Sequence, residues 1–160
     1  MSVASVEKDL DTLTLTVVAD FDAPLERVWD LWADPRKLER WWGPPGYPAT
    51  VTKHELTAGG EVAYYMTGPD GKRYGGWWEV IEVDPPRSIR FRDGFADEEG
   101  NRVEEMPVRE AVVVLSERDG GTRMEMRATY AERGQFEQVL EMGMEQGIRE
   151  AMGQMDALLA

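Results

Sequence analysis

The chain has 160 residues, no cysteine and one histidine, which excludes disulfides, thiol nucleophiles, Cys-ligated metals and multi-histidine metal sites. Its 18 basic and 31 acidic residues give a net charge of −13, which disfavours binding to nucleic acid or to an anionic membrane. The longest apolar run, 111–115, is too short to span a bilayer, and the first residues lack the pattern of a signal peptide, so we expect a cytoplasmic protein.

Two different patterns open the chain. Residues 1–11 are small and polar, and we expect them to be frayed. Apolar residues then alternate with polar ones over 13–21, which predicts a half-buried strand. No repeat, low-complexity tract or linker divides the rest of the chain, so we expect residues 12–160 to form one domain.

Two short helices are predicted next. Asp22 has the residue type of a helix cap and Pro24 suits a first helical turn, so a helix is expected from there to about Trp32. Asp34 precedes a second proline and predicts a second short helix, which the Gly-Pro-Pro-Gly sequence at 43–46 ends.

Short alternating segments separated by turn sequences predict an antiparallel β-meander. The six predicted strands lie at 49–56, 61–67, 73–83, 88–92, 109–116 and 122–130. Six acidic residues within 93–105 indicate a solvated loop between the fourth and fifth of these strands. Apolar residues then recur with helical spacing over 134–159, which predicts one long C-terminal helix.

These elements predict an α+β fold. About seven strands form a strongly curved antiparallel sheet wrapped round the long C-terminal helix, with two short helices after the first strand. Gly143, Gly147 and Ala151 follow one another at one-turn spacing on that helix, and methionines surround them. This pattern fits either a close approach of the helix to the sheet or a cavity for an apolar ligand.

The segments 21–29 (Phe-Asp-Ala-Pro-Leu-Glu-Arg-Val-Trp) and 41–44 (Trp-Trp-Gly-Pro) resemble motifs of the START-like superfamily. These proteins are also called SRPBCC or birch-pollen-allergen-like helix-grip proteins. The second motif is similar to the signature of the branch homologous to the C-terminal domain of the heat-shock protein 90 ATPase activator. Further similar segments lie at 58–60, 66–71, 82–87 and 120–123.

The resemblance implies a helix-grip fold with a hydrophobic pocket between the C-terminal helix and the sheet. Members of the superfamily bind lipids, steroids, polyketides or other apolar small molecules. Some members catalyse cyclisation or dehydration by positioning their substrate. The name of the branch implies co-chaperone activity, which makes a chaperone an alternative partner.

We expect inward-facing side chains of the strands and of the C-terminal helix to line the pocket. The candidate ligand-binding residues are Trp42, Tyr64, Trp78, Phe91, Val113, Met124, Met126, Phe136, Leu140, Met144, Gly147 and Ile148. Trp77 and Trp78 must point to opposite faces of their strand, and periodicity leaves open which one faces inward. Adjacent Trp41 and Trp42 cannot both face the core, so one of them is expected at the mouth of the groove.

Other residues have chemistry that could serve a site, and each has a simpler interpretation. His54 is isolated, which is typical of a hydrogen-bonded or exposed histidine. The acidic run 97–99 lacks the ligand spacing of a calcium loop and predicts a solvated turn. Arg90 and Arg92 alternate with apolar residues and are expected on the outer face. Tyrosines that could orient a polar ligand group, with none singled out by its pattern, are Tyr64, Tyr65, Tyr74 and Tyr130.

The sequence therefore favours non-catalytic binding of a small, largely hydrophobic ligand, such as a lipid, a polyketide or another apolar metabolite. It predicts no catalytic residue, no metal and no cofactor. The alternatives are co-chaperone-like stimulation of the heat-shock protein 90 ATPase and an enzyme of the polyketide cyclase or dehydratase type. We expect no nucleic-acid partner, no integral membrane association, and either a monomer or a homodimer.

Overall fold

One antiparallel sheet of eight strands dominates the computed structural model, which describes residues 3–160. The strands in chain order are β1 Val3–Asp9, β2 Thr14–Phe21, β3 Ala49–His54, β4 Glu61–Thr67, β5 Arg73–Asp84, β6 Ser88–Ala96, β7 Arg109–Arg118 and β8 Gly121–Tyr130. Across the sheet they lie in the order β1-β2-β8-β7-β6-β5-β4-β3. The predicted six-strand meander and the α+β class are confirmed, and β8 joins the meander to β2.

The prediction of a frayed N-terminus was wrong for residues 3–9. β1 pairs with β2 from Val3 opposite Ala19 to Asp9 opposite Thr14. Residues 1 and 2 of that prediction lie outside the described residues. An edge strand takes its backbone hydrogen bonds from one neighbour and needs little apolar surface, so its sequence alternates weakly. The sheet therefore has eight strands instead of about seven.

Alternation along the strands gives the sheet one buried face, which we call the inner face. On β2 its side chains are Leu15, Val17, Ala19 and Phe21, as the sequence predicted. The same face continues across the neighbouring strands, because Met126 of β8 lies opposite both Val17 of β2 and Val113 of β7. Such a face is stable only if other elements cover it.

Two short helices follow β2, as predicted. They are α1 Leu25–Ala33 and α2 Pro35–Trp41. Asp34 caps α2, as predicted, because its carboxylate accepts a hydrogen bond from the backbone N–H of Arg36 at 2.9 Å. The predicted cap at Asp22 was wrong, since α1 starts directly after Pro24 and no side chain caps it.

The predicted continuous helix over 134–159 was also wrong, because three shorter helices occupy this region. They are α3 Arg133–Glu141, α4 Met144–Gly153 and α5 Met155–Leu159. Gly143 separates the first two with a φ of +86°, a left-handed conformation that an α-helix does not admit. The helical spacing of apolar residues persists across the break and glycine fits either conformation, so the sequence favoured a single helix. None of the helices within residues 3–160 is long and apolar enough to cross a membrane.

Strand β6 extends into the segment that was predicted to be a solvated loop. Residues 93–96 belong to the strand, and Asp93 is only 6% exposed. Ile89 and Phe91 point inward, so the period of two places Asp93 on the same buried face. The remainder of the predicted loop, 97–105, forms turns and an isolated bridge between Ala96 and Arg102.

The break at Gly143 predicts opposite effects for two glycine substitutions. Gly143→Ala should lower the free energy of unfolding by about 1 kcal/mol, because a Cβ is unfavourable at positive φ. Gly147→Ala should raise it by up to about 1 kcal/mol, because Gly147 lies inside α4 and a Cβ there meets no atom within 4 Å. Urea unfolding measures both values, and stabilisation by both substitutions would indicate a continuous helix.

Candidate ligand-binding cavity

A cavity of about 310 Å³ separates the C-terminal helices from part of the inner face. Its apolar wall consists of Trp41, Trp42, Pro44, Met66, Phe95, Pro107, Met126, Val139, Met142, Met144, Ile148, Ala151 and Met152, with Gly94, Gly143 and Gly147. Four side chains with polar groups complete the lining: Tyr64, Asp93, Arg109 and Tyr130. A largely carbon-lined wall with a few polar groups is typical of a site for a small apolar molecule.

Half of the predicted ligand-binding residues line this cavity. They are Trp42, Tyr64, Met126, Met144, Gly147 and Ile148. These residues follow α2 or belong to β4, β8 and α4. On α4 the small and methionine residues that recur at helical spacing lie on the face that borders the cavity.

The other predicted residues lie in the packed core or against it instead of on the cavity wall. Those in the core are Trp78, Phe91, Val113, Met124 and Phe136, and Leu140 is partly buried against it. The rings of Trp78 and Phe91 are fully buried and stack with their centroids 4.2 Å apart. Trp32 fills the same region, since its indole N–H donates to Met124 Sδ at 3.4 Å. Strand alternation and helical spacing predicted inward-facing positions, with the choice between Trp77 and Trp78 left open, but they could not show which part of the inner face is packed and which part is open.

The structure places both pairs of adjacent tryptophans. Trp78 faces inward, whereas Trp77 lies on the outer face under the guanidinium of Arg102, which is 3.9 Å from its ring centroid. Trp41 is only 1% exposed, and Trp42 is half-buried. Both rings reach the cavity wall.

Small residues in α4 and directly before it border the cavity. Gly143, Gly147 and Ala151 all line the cavity. A Cβ placed on Gly147 would have no atom within 4 Å, so Gly147 does not serve a close approach of helix to sheet. Between the two interpretations that the sequence allowed, this geometry supports the cavity.

Three polar side chains lie next to one another on adjacent strands. The register places Asp93 of β6 opposite Arg109 of β7, and Arg109 opposite Tyr130 of β8. Arg109 holds Asp93 with two hydrogen bonds, from Nε to Oδ1 at 2.7 Å and from Nη2 to Oδ2 at 3.0 Å. The two side chains are 13% and 8% exposed, so each charge depends on the other for compensation.

Met144 Sδ accepts from two further donors of these side chains. The Tyr130 hydroxyl donates to Met144 Sδ at 2.9 Å, and Arg109 Nη1 lies 3.9 Å from the same sulfur. The ring of Tyr130 stacks on Phe136 with a centroid distance of 5.1 Å, which fixes the direction of the hydroxyl. The row therefore directs one hydroxyl and one guanidinium nitrogen towards α4.

Burial determines the protonation of these polar groups at neutral pH. It raises the pKa of the Tyr64 hydroxyl well above its ordinary value, and the Asp93 carboxylate raises it further. Burial also raises the pKa of Tyr130, although the guanidinium of Arg109 opposes this effect. Burial by itself would lower the pKa of the Arg109 guanidinium, but the nearby Asp93 carboxylate has the larger effect and raises it. Both tyrosines therefore stay neutral donors, and Arg109 stays charged.

The indole N–H of Trp42 is buried and has no hydrogen-bond partner among residues 3–160. It lies close enough to the Tyr64 hydroxyl to lower the pKa of that group slightly, but the geometry is not that of a hydrogen bond. The two rings meet edge to face with centroids 5.9 Å apart. An unsatisfied buried donor is costly, and an acceptor that enters the cavity would satisfy it.

The simpler interpretations of the other candidates agree with the structure. His54 Nε2 lies 3.1 Å from the carbonyl oxygen of Trp32, away from the cavity wall. The Asp97 carboxylate accepts hydrogen bonds from two backbone N–H groups of its own turn. Arg90 and Arg92 pair with glutamates of neighbouring strands, each at 3.3 Å. Within the described part of the chain, no group of three or more His, Asp or Glu side chains could hold a metal ion.

Asp93 and Arg109 were missed as site residues in the sequence, although a signal for both was present. Arg109 lies two and four positions from Ala111 and Val113, which point inward along β7, so its side chain is on the same face. Asp93 lies two positions from the inward-facing Phe91 of β6 and therefore points to the same face. Two opposite charges at inward positions of neighbouring strands indicate a buried ion pair.

The relationship of the chain to known proteins agrees with this fold. A family model described as Activator of Hsp90 ATPase homolog 1-like protein matches residues 22–160. This chain belongs to that family. The predicted superfamily and branch are therefore confirmed. No curated protein matches the chain.

Solved structures similar to this family member match nearly the whole length of its chain. Protein Ms6760 from Mycobacterium smegmatis is 52% identical, with a TM-score of 0.92 over 99% of this chain and 97% of that chain. A protein from Arthrobacter aurescens is 50% identical, with a TM-score of 0.94 over 99% and 92% of the two chains. DynU16, a putative protein in the dynemicin biosynthetic locus, shares only the fold: it is 18% identical, with a TM-score of 0.63 over 89% of this chain and 47% of that chain.

The raised pKa values of Tyr64 and Tyr130 predict late tyrosine ionisation in an alkaline titration. Of the five tyrosines, these two should form tyrosinate only well above the ordinary pKa of about 10, and all five should titrate near it in urea. A folded-state pKa above the unfolded value means that this contribution to stability is complete below about pH 10 and is lost as the pH rises further. Ultraviolet absorbance of tyrosinate measures the ionisation.

Tyr64→Phe provides the control for this titration. It should remove one of the late-titrating groups and leave the rest of the curve unchanged. Equal titration of every tyrosine near pH 10 in the folded protein would contradict the burial of both hydroxyls.

Proposed function

We propose that this protein binds a small, largely apolar molecule in the cavity between α4 and the inner face of the sheet. The observation that carries the proposal is a carbon-lined cavity of about 310 Å³ with four polar side chains in its wall. This volume lies at the lower end of the range of about 300–1,000 Å³ for small-molecule sites, so the ligand is small.

The composition of the wall supports this function. Five methionines line the cavity: Met66, Met126, Met142, Met144 and Met152. Unbranched thioether side chains adapt to ligands of different shape, because they have several rotatable bonds and a polarisable sulfur. Gly147 leaves space beside them that a side chain would occupy. A wall built for tight packing would not need either feature.

The arrangement of titratable groups favours binding over the cyclase or dehydratase alternative. A general acid or base needs a free position facing the substrate. Both oxygens of Asp93 are engaged by Arg109, and both tyrosines have raised pKa values. His54 lies outside the lining. These contacts suit recognition of a ligand better than proton transfer.

Stimulation of the heat-shock protein 90 ATPase is a separate hypothesis that rests on the description of the family. It requires a surface that contacts the chaperone, and the cavity provides no argument for one. A measurement of chaperone ATP turnover with and without this protein tests that hypothesis independently of ligand binding.

A pair of glycine substitutions in α4 tests the proposal. Gly147→Leu places a side chain in the cavity, where the added Cβ has no atom within 4 Å. Gly153→Leu is the matched control, since Gly153 has equal space but is exposed on the same helix and does not line the cavity. The probe is N-phenyl-1-naphthylamine, a neutral dye whose fluorescence rises in an apolar site.

We expect the dye to bind the wild-type protein and Gly153→Leu equally, and to bind Gly147→Leu about tenfold more weakly, which corresponds to roughly 1.4 kcal/mol. Urea unfolding of all three proteins shows that the variants are folded. Absence of dye binding to the wild type, or equal binding by a folded Gly147→Leu, would refute the proposal.

A further inference from the structure

Two hydrogen-bond donors at one end of the cavity converge on a single sulfur atom. The Tyr130 hydroxyl donates to Met144 Sδ at 2.9 Å, and Arg109 Nη1 lies 3.9 Å from the same atom. Both donors are held from behind, because the Tyr130 ring stacks on Phe136 and the other nitrogens of Arg109 bind Asp93. The donors are therefore in place before any ligand enters.

Met144 is a poor partner for these donors. A thioether sulfur is a weak acceptor, and the methionine side chain is flexible. Met144 is also the first residue of α4, directly after the left-handed Gly143. An oxygen atom near the position of the sulfur would accept a stronger hydrogen bond from the Tyr130 hydroxyl, and an oxygen that lies nearer to Arg109 Nη1 than the sulfur does would accept a second one. The displaced side chain could adopt another rotamer at low cost.

We infer that this end of the cavity binds a neutral acceptor oxygen of the ligand, such as a ketone, ester or amide carbonyl, which replaces Met144 Sδ between Tyr130 and Arg109. The inference rests on the proposed function and specifies the class of ligand. The unsatisfied indole N–H of Trp42 offers a further donor on the same wall.

The charge balance of the site favours a neutral oxygen over a carboxylate. Asp93 already compensates Arg109 through two hydrogen bonds, so an anionic ligand would bury a charge without a counterion. The pKa of the Tyr64 hydroxyl is raised by burial and by Asp93, which agrees with an environment that disfavours further negative charge. The net charge of −13 also repels anions before they reach the cavity.

Three naphthalene probes that differ in one group test the inference by isothermal titration calorimetry. 2-Acetylnaphthalene carries a neutral carbonyl, 2-isopropenylnaphthalene replaces its oxygen by a methylene of similar shape, and 2-naphthoate carries a carboxylate. We expect the ketone to bind about tenfold more tightly than the alkene, as one or two additional hydrogen bonds would give. The carboxylate should bind more weakly than the ketone.

Ring-preserving substitutions assign this preference to the proposed donors. Tyr130→Phe keeps the stacking on Phe136 and removes the hydroxyl, so the ketone should lose about threefold in affinity and the alkene none. Tyr65→Phe is the matched control outside the cavity and should change neither value. Met144→Leu removes the competing sulfur without touching the donors, and the ketone preference should persist or increase.

The outcomes separate this inference from the function on which it rests. If the alkene binds and the ketone binds no more tightly, or if 2-naphthoate binds most tightly, the inference is wrong and the apolar site stands. If none of the three probes binds, the proposed function itself fails. If the ketone preference survives both in Tyr130→Phe and in its control, the oxygen binds elsewhere and the assignment to Tyr130 is wrong.

Discussion

An antiparallel sheet with one apolar face must have that face covered, and the cavity of this protein follows from how the cover is distributed. Where Trp32, Trp78 and Phe91 pack against one another, the inner face is sealed by aromatic rings. Beside α4 the inner face is less completely covered, because Gly143 separates α3 from α4 and Gly147 contributes no side chain. One continuous face thus has a packed part and an open part.

The polar row in the open part is tolerated because its charges are matched. Asp93 and Arg109 are cross-strand neighbours, so two nitrogens of the guanidinium donate directly to the two carboxylate oxygens. This pairing leaves Arg109 Nη1 and the Tyr130 hydroxyl as the donors directed towards α4. Rigid donors on the sheet thus face adaptable methionines on the helix. Such a division suits a ligand with one defined polar group and a variable apolar body.

Local pattern predicted most elements of the fold and failed where a residue was compatible with two conformations. Burial alternates along β2, β6, β7 and β8, and Asp34 caps the start of α2. β1 was missed because an edge strand needs little apolar surface. The division of the C-terminal helix was missed because the helical spacing of apolar residues runs through Gly143, although this glycine adopts a positive φ that ends the helix.

The sequence by itself determined the family through motifs such as Trp-Trp-Gly-Pro at 41–44. It determined the α+β class and most inward-facing positions through strand alternation and helical period, which are local properties of the backbone. That alternation already placed Asp93 and Arg109 inside, although their charges concealed it. Only the tertiary structure decided which inward residues became core and which became cavity wall. Phe91 and Asp93 are two residues apart on one strand, yet Phe91 packs against Trp78 whereas Asp93 lines the cavity. The difference depends on where distant α4 lies over the sheet, and no local period contains that information.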